Sequence, residues 1–532
     1  MRRLLALWMV LVLFSCAPAF SIPTEGETVP KAPLVQLQPL PEPELEPEQE
    51  CESEPVVAHL VVAGDVMCHN PINTDAYVKQ TGEYDYSHMF QAAAPQIAQA
   101  DYAVANLETV FAGGVEYSGY PTFNTPDALA KNLRDAGFDL VSTANNHTRD
   151  KGVQGIFRTL DVLDEAGLAH VGTYRTQEER EASSGVYVAD VGGISVAFLC
   201  YTYGLNGFRL DQEYKYAVNL FNLDYYTTLA NPDYDLVRAD LEAARALDTD
   251  LIAVLIHWGN EYKDKQNSHQ ENMARFLVEQ GADLVLGGHP HVLEPYETIT
   301  VEGWDGQERQ GFVCYSLGNF ISNQLELKTM TTVVLDLELT KNPDGGTSLT
   351  DVSYTPYYML HRRSTPGDRR YLVDIHKSMA EFEEGESTLI DKSAYGRLQS
   401  ALDHCHAILG AEGDQVLRQR DDAACRALVG QYAQTVYAQD ADRYIALFTR
   451  ENRQEMERFL AHYGADHFFQ EKRVFISRLD RDSLSPAERE ETAAYERAAA
   501  YFMERKTGET DRVLFALEDG SWRIVRISAI SA

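Results

Sequence analysis

Five polar clusters carry groups able to hold metal: Gly64-Asp65, Asn106-Leu107-Glu108, Asn145-Asn146-His147, His257-Trp258-Gly259 and Gly288-His289-Pro290-His291. Carboxylates, carboxamides and imidazoles make a mixed oxygen and nitrogen set, which suits Mn, Fe or Zn and not a thiolate site. Each residue alone has a plainer role: an Asp after Gly forms turns, Asn-Asn starts helices, and a lone His is more often structural. Joint occurrence is the argument, because every cluster follows directly on a short apolar run. In open α/β sheets the ligand crevice lies outside the carboxyl ends of the strands, so such clusters converge. Two divalent metals held there share a bridging carboxylate and acidify a water.

The runs that must position them are 59–63, 102–105, 139–143, 194–199, 251–256 and 283–286, with further strands at 312–316 and 332–337. Helical patterns near 88–99, 127–136 and 154–166 separate the first of these. Apolar strands alternating with helices predict an α/β fold, a layered sheet sandwich flanked by helices. Asn342-Pro343-Asp344-Gly345-Gly346 is a turn expected to join two antiparallel edge strands, and 385–410 reads as helical. From about 415 a smaller α+β domain is expected, with helices near 419–438, 439–447 and 486–505. It ends in a hairpin, 511–517 and 522–527, around the Asp519-Gly520 turn.

The 532 residues exceed one ordinary core, and the formal net charge of -35 argues against nucleic acid as a partner. Arg2 and Arg3 followed by the apolar stretch 4–14 read as an export signal too short to span a bilayer. Residues 17–55 are rich in Pro and Glu and read as an extended, self-repelling spacer. The expected organisation is therefore a signal over 1–16, a linker over 17–55, a main domain over 56–410 with its motifs in 57–325, and a domain over 415–532. Seven cysteines (Cys16, Cys51, Cys68, Cys200, Cys314, Cys405, Cys425) show no framework spacing, so buried free thiols are expected and Cys405–Cys425 is the one pair to test. His404 and His406 flank Cys405 on a helix and read as structural.

Taken in order, the five clusters together with Ser316-Leu317-Gly318-Asn319-Phe320 resemble the CapA family of poly-γ-glutamate capsule proteins, with its calcineurin-like metallophosphatase fold. The resemblance implies that Asp65 holds one metal, Glu108 bridges or serves the second, Asn146 and His257 bind the second, and His289 and His291 serve one each. It casts His147 as general acid or oxyanion stabiliser and Asn319 as an orienting residue, with Asn106 and Asn145 beside the ligands. One departure stands out: Met67 fills the His slot of the usual Asp-x-His motif. His69 either bends inward as its replacement, or faces solvent or caps a helix. Leu13-Phe14-Ser15-Cys16 resembles a lipobox, which implies a bacterial cell-surface lipoprotein anchored to the membrane at Cys16. The last quarter resembles nuclear-transport-factor-like and cystatin-like domains, implying dimerisation or protein contacts.

The resemblance implies metal-dependent hydrolysis or transfer on poly-γ-glutamate or a related anionic surface polymer. Arg149, Lys151, Lys263 and Lys265 are the expected cationic rim that admits such a chain to an acidic protein. The rival readings are a phosphomonoesterase or phosphodiesterase, and a non-catalytic polymer-binding or export protein with a degenerate metal cleft.

Overall fold

The computed structural model describes residues 54–114, 116–363, 369–464, 476–482, 484–505 and 510–529. The expected signal, the lipobox-like segment and most of the expected linker lie outside the described residues.

Period-two alternation builds the core. On strand Val56–Val66, Leu60 and Val62 face one cluster of buried side chains while Val61 and Ala63 face another. Strand Ile194–Thr202 divides the same way: Val196, Phe198 and Cys200 point inward, Ala197, Leu199 and Tyr201 outward. The two inward faces meet, so two sheets pack face to face and helices cover both outer faces. The first sheet runs 369–374, 347–362, 331–341, 56–66, 102–107, 140–142, 169–171, with the short strand 319–321 pairing at the end of 56–66. The second runs 293–302, 308–317, 284–288, 251–257, 194–202, 187–191. Strands 56–66, 102–107 and 140–142 are mutually parallel, as are 194–202, 251–257 and 284–288, so their carboxyl ends open on one edge of the sandwich. This is the expected layered α/β sandwich.

Several local expectations need correction. The helix near 88–99 is two, Ser87–Phe90 and Ala94–Gln99, because Pro95 lacks the N–H to continue a helix and instead opens the second. The 385–410 helix begins only at Lys392, where the Asp391 carboxylate accepts from the Ala394 N–H at 2.8 Å. The 342–346 turn does join antiparallel strands, but neither is an edge, since 369–374 lies beyond them. The expected 486–505 helix stops at Glu491, and Ala498–Arg505 is a strand paired on both sides. There Ala499, Tyr501 and Met503 alternate into a buried cluster with Val513 and Phe515, and that pairing overrides the helix preference of alanine.

After helices Gln415–Ala438, Ala441–Ala446 and Arg450–Tyr463, the chain ends in a four-stranded antiparallel sheet. Asp414 joins this part to the sandwich: its buried carboxylate accepts from His376 Nε2 at 2.6 Å and His406 Nε2 at 2.9 Å, and it caps the helix that follows. The five described cysteines are buried and free, Cys405 and Cys425 included.

Candidate metal centre

Gly64 and Gly318 explain how the first carboxylate reaches its place. A Cβ on Gly64 would stand 2.0 Å from the Gly318 carbonyl oxygen, so only glycine allows these backbones to touch. The Asp65 N–H donates to that oxygen at 2.9 Å, which aims the Asp65 carboxylate across the sheet edge. A Cβ on Gly288 would lie 2.7 Å from Asp65 Oδ1, so the second sheet also approaches closely because of a glycine.

The other clusters close around Asp65. Asn106 Nδ2 donates to Asp65 Oδ1 at 2.8 Å, and Ser142 Oγ donates to Asn106 Oδ1 at 2.9 Å. Asn145 Nδ2 donates to the Leu107 carbonyl at 2.7 Å while its Oδ1 accepts from the His147 N–H at 3.1 Å, which knits two clusters together. His257 Nε2 lies 3.0 Å from Asn146 Oδ1 and 3.6 Å from Glu108 Oε1. His291 Nδ1 lies 3.2 Å from Asp65 Oδ2 and 3.9 Å from Glu108 Oε2. His289 and His291 both have left-handed backbones, φ 100° and 59°, a strain concentrated where two rings must point inward. Asn319 Nδ2 donates to the Thr329 carbonyl at 3.0 Å and the His291 carbonyl at 3.3 Å, holding that turn from behind.

Glu108 is the centre of the arrangement. Ligand atoms of Glu108, His289 and His291 lie within 4.8 Å of one another, and so do those of Asp65, Glu108 and His257. Glu108 is common to both groups, and His289 and His291 fall together in one of them. Both Glu108 oxygens are buried without a hydrogen-bond partner, as is His289 Nδ1. Burial, then the neighbouring Asp65 carboxylate, pushes the Glu108 carboxyl well above its usual range. Burial likewise holds His257 and His289 well below the ordinary imidazole value, which leaves them neutral and able to ligate. Orphaned carboxylate oxygens facing neutral imidazoles fit a divalent cation, which satisfies both at once.

His147 stands at the rim of this cluster, Nε2 4.0 Å from Glu108 Oε1. Its Nδ1 donates to Asp150 Oδ2 at 2.7 Å, an acceptor not anticipated from sequence although His147-x-x-Asp150 spacing is that of one helical turn. Tyr203 and Asn206, on the segment after strand Ile194–Thr202, were equally unforeseen. The Tyr203 ring lies parallel to His257 at 6.2 Å, and Asn206 Oδ1 accepts from Asn146 Nδ2 at 3.1 Å. His69 stands at the N-cap of helix Asn70–Ala76 without a side-chain cap bond; it packs edge-on to Phe123, its Nδ1 accepts from the Asn323 N–H at 3.3 Å, and it joins neither candidate ligand group. Burial, with His291 and His147 nearby, lowers its pKa to about 4. Of the rim cations, Arg149 lies over the Phe208 ring, Lys151 Nζ donates to Thr122 Oγ1 at 3.3 Å, and Lys263 and Lys265 are exposed on the loop after His257.

Known proteins place this arrangement in context. The chain is 27% identical over 301 residues to the capsule biosynthesis protein CapA of Bacillus anthracis, covering 55% of this chain and 66% of that one. It is 27% identical over 293 residues to the PGA biosynthesis protein CapA of Bacillus subtilis, covering 54% and 70%. The chain thus spans about two thirds of the length of these relatives. Among solved structures, the calcineurin-like phosphoesterase YfkN of Bacillus subtilis overlaps 65% of this chain and 99% of that one at a TM-score of 0.34 and 13% identity. The model of the family "Bacterial capsule synthesis protein PGA_cap" matches residues 59–324, half of the chain and every cluster described above. The chain belongs to the PGA_cap family of bacterial capsule synthesis proteins.

Proposed function

We propose that this protein is an exported, metal-dependent enzyme of capsule biosynthesis that hydrolyses or transfers poly-γ-glutamate or a related anionic envelope polymer. The observation that carries the reading is Glu108, a fully buried carboxylate with two unpartnered oxygens between neutral histidines and Asp65. Asp65, Glu108, Asn146, His257, His289 and His291 would hold two divalent cations. Such cations would supply Lewis acidity to the attacked carbonyl or phosphoryl group and acidify water.

The chain's own groups do the rest. Asp150 accepts from His147 Nδ1, which orients the ring so that, protonated at both nitrogens, it directs Nε2–H to the cluster, placed to give a proton to the departing atom. Asn206 lies 3.5 Å from the His147 ring nitrogens and holds Asn146, so one side chain orients acid and ligand together. Tyr203 and Tyr262 flank His257 and His291, their ring centroids 6.2 and 6.0 Å away. The test is metal content and turnover in His147→Ala: two ions per chain, fold retained and turnover of γ-glutamyl polymer down at least about a hundredfold. A wild-type protein that takes up no divalent ion overturns the reading.

Met67 favours a second reading, a polymer-binding protein whose centre no longer turns over. His69, the residue available to fill that slot, stands against Phe123 outside both ligand groups. Metal uptake without turnover on polymer or on phosphate esters supports it.

A further inference from the structure

A cleft lies separate from the candidate metal centre. It has a volume of about 890 Å³ and lies between strand Thr347–Arg362, helix Lys392–Leu409 and the segment 325–330. Its floor is apolar, with Met330, Leu360 and Ile390 buried beneath it. Its described lining carries Arg362, Arg363 and Arg397 against a single carboxylate, Asp391, and that carboxylate is engaged as a helix cap. Three guanidinium groups in one groove are out of keeping with a chain of net charge -35. Arg362 donates to the Thr388 carbonyl at 2.9 Å and Arg397 to Ser393 Oγ at 3.0 Å, which leaves further donors on each guanidinium.

The groove and the metal centre share a wall. Asn319, at the centre, donates to the Thr329 carbonyl and to Gln324 Oε1 at 2.9 Å. Gln324 and Lys328 in turn donate to the Tyr262 hydroxyl and carbonyl at 3.2 and 2.6 Å, and the Tyr262 ring lies 6.0 Å from that of His291. Leu325, Leu327 and Met330 of the same segment line the groove. A chain leaving the candidate metal centre past Tyr262 and Lys328 would follow this shared wall towards the groove.

We infer that this groove binds the continuation of an extended polycarboxylate chain whose end lies at the metal centre, with Arg362, Arg363 and Arg397 taking its carboxylates. A γ-linked glutamyl chain carries methylenes in its backbone and a pendant carboxylate on each residue, which matches an apolar floor beneath a guanidinium rim. The inference rests on the polymer reading proposed for the metal centre.

The test uses the full protein, a γ-glutamyl 20-mer, a γ-glutamyl dipeptide and a polyphosphate of equal charge, with binding followed by calorimetry. In the double variant Arg362→Gln/Arg397→Gln, 20-mer affinity falls at least tenfold with a shallower salt dependence, and dipeptide affinity and metal content stay as in wild type. The Arg362→Lys/Arg397→Lys variant, which keeps the charge, recovers most of the loss. Unchanged 20-mer affinity in the folded Gln variant overturns the groove, as does equal loss of dipeptide binding. Polyphosphate bound as tightly as the 20-mer overturns the polycarboxylate assignment. Wild-type protein that binds the 20-mer through these arginines but never turns it over refutes catalysis and leaves the groove standing.

Discussion

Glu108 sets what single residues here can be asked. Both its oxygens face ligand partners, so Glu108→Ala removes a donor from each candidate metal group at once. Calorimetric titration with Mn or Zn is expected to show affinity at both sites lowered at least about tenfold, the scale of perturbing a metal's supporting shell. Weakening at one site alone shows that Glu108 does not bridge. Asp150 is tested differently, because it touches His147 and none of the candidate ligands among the contacts described. Asp150→Asn is expected to lower kcat by about a hundredfold with metal content unchanged, since a carboxamide no longer enforces the tautomer that presents Nε2. An unaltered kcat removes His147 from proton transfer.

At the scale of elements, the loop after His257 is held by a buried carboxyl. Asn267 and Gln270 form a capping box that starts helix Ser268–Glu279, and Gln270 Nε2 donates to Glu294 Oε2 at 2.6 Å. Burial pushes Glu294 up to about 8 from an ordinary 4.5. A raised carboxyl pKa means the native state holds its proton longer than the unfolded chain. Its contribution is therefore fully present below pH 4.5 and is lost as pH rises towards 8, at up to about 1.4 kcal/mol per pH unit. Denaturant unfolding from pH 5 to 8 is expected to show this slope in wild type and a flatter profile in Glu294→Gln. Parallel profiles refute the assignment.

Across the whole molecule, the seam at Asp414 joins the sandwich to the C-terminal helices. Arg418 adds to it, donating to the Val352 carbonyl at 3.1 Å and to Asp351 Oδ2 at 2.6 Å. The two histidines hold Asp414 below the usual carboxylate range against the opposing effect of burial. Asp414→Asn removes the buried anion and leaves His376 and His406 facing a neutral amide, a change of the class that costs about 3 kcal/mol. Hydrogen exchange is expected to rise across 415–463 ahead of the sandwich; uniform change throughout shows that the seam has no separate role. The same scale makes the arginine groove meaningful, because a strongly acidic surface repels polyanions except where cations cluster.

Much of this was legible in the chain itself. Each candidate ligand follows a short apolar strand, and strand alternation is a local property, so Asp65, Glu108, Asn146, His257, His289 and His291 could be named in sequence along with the sandwich that gathers them. Residues 498–505 were misread because alanine-rich sequence favours a helix until two neighbouring strands take its backbone hydrogen bonds. Tyr203 and Asn206 belong to a segment with no period, and only its path over the sheet edge brings them to the candidate metal centre. The groove arginines lie at a strand end and on a helix separated by a further strand and a further helix, so no spacing announces them. Sequence determined which groups can do chemistry and on which strand ends they lie. The tertiary structure alone decided which of them touch, because contact across sheets depends on packing that no local pattern encodes.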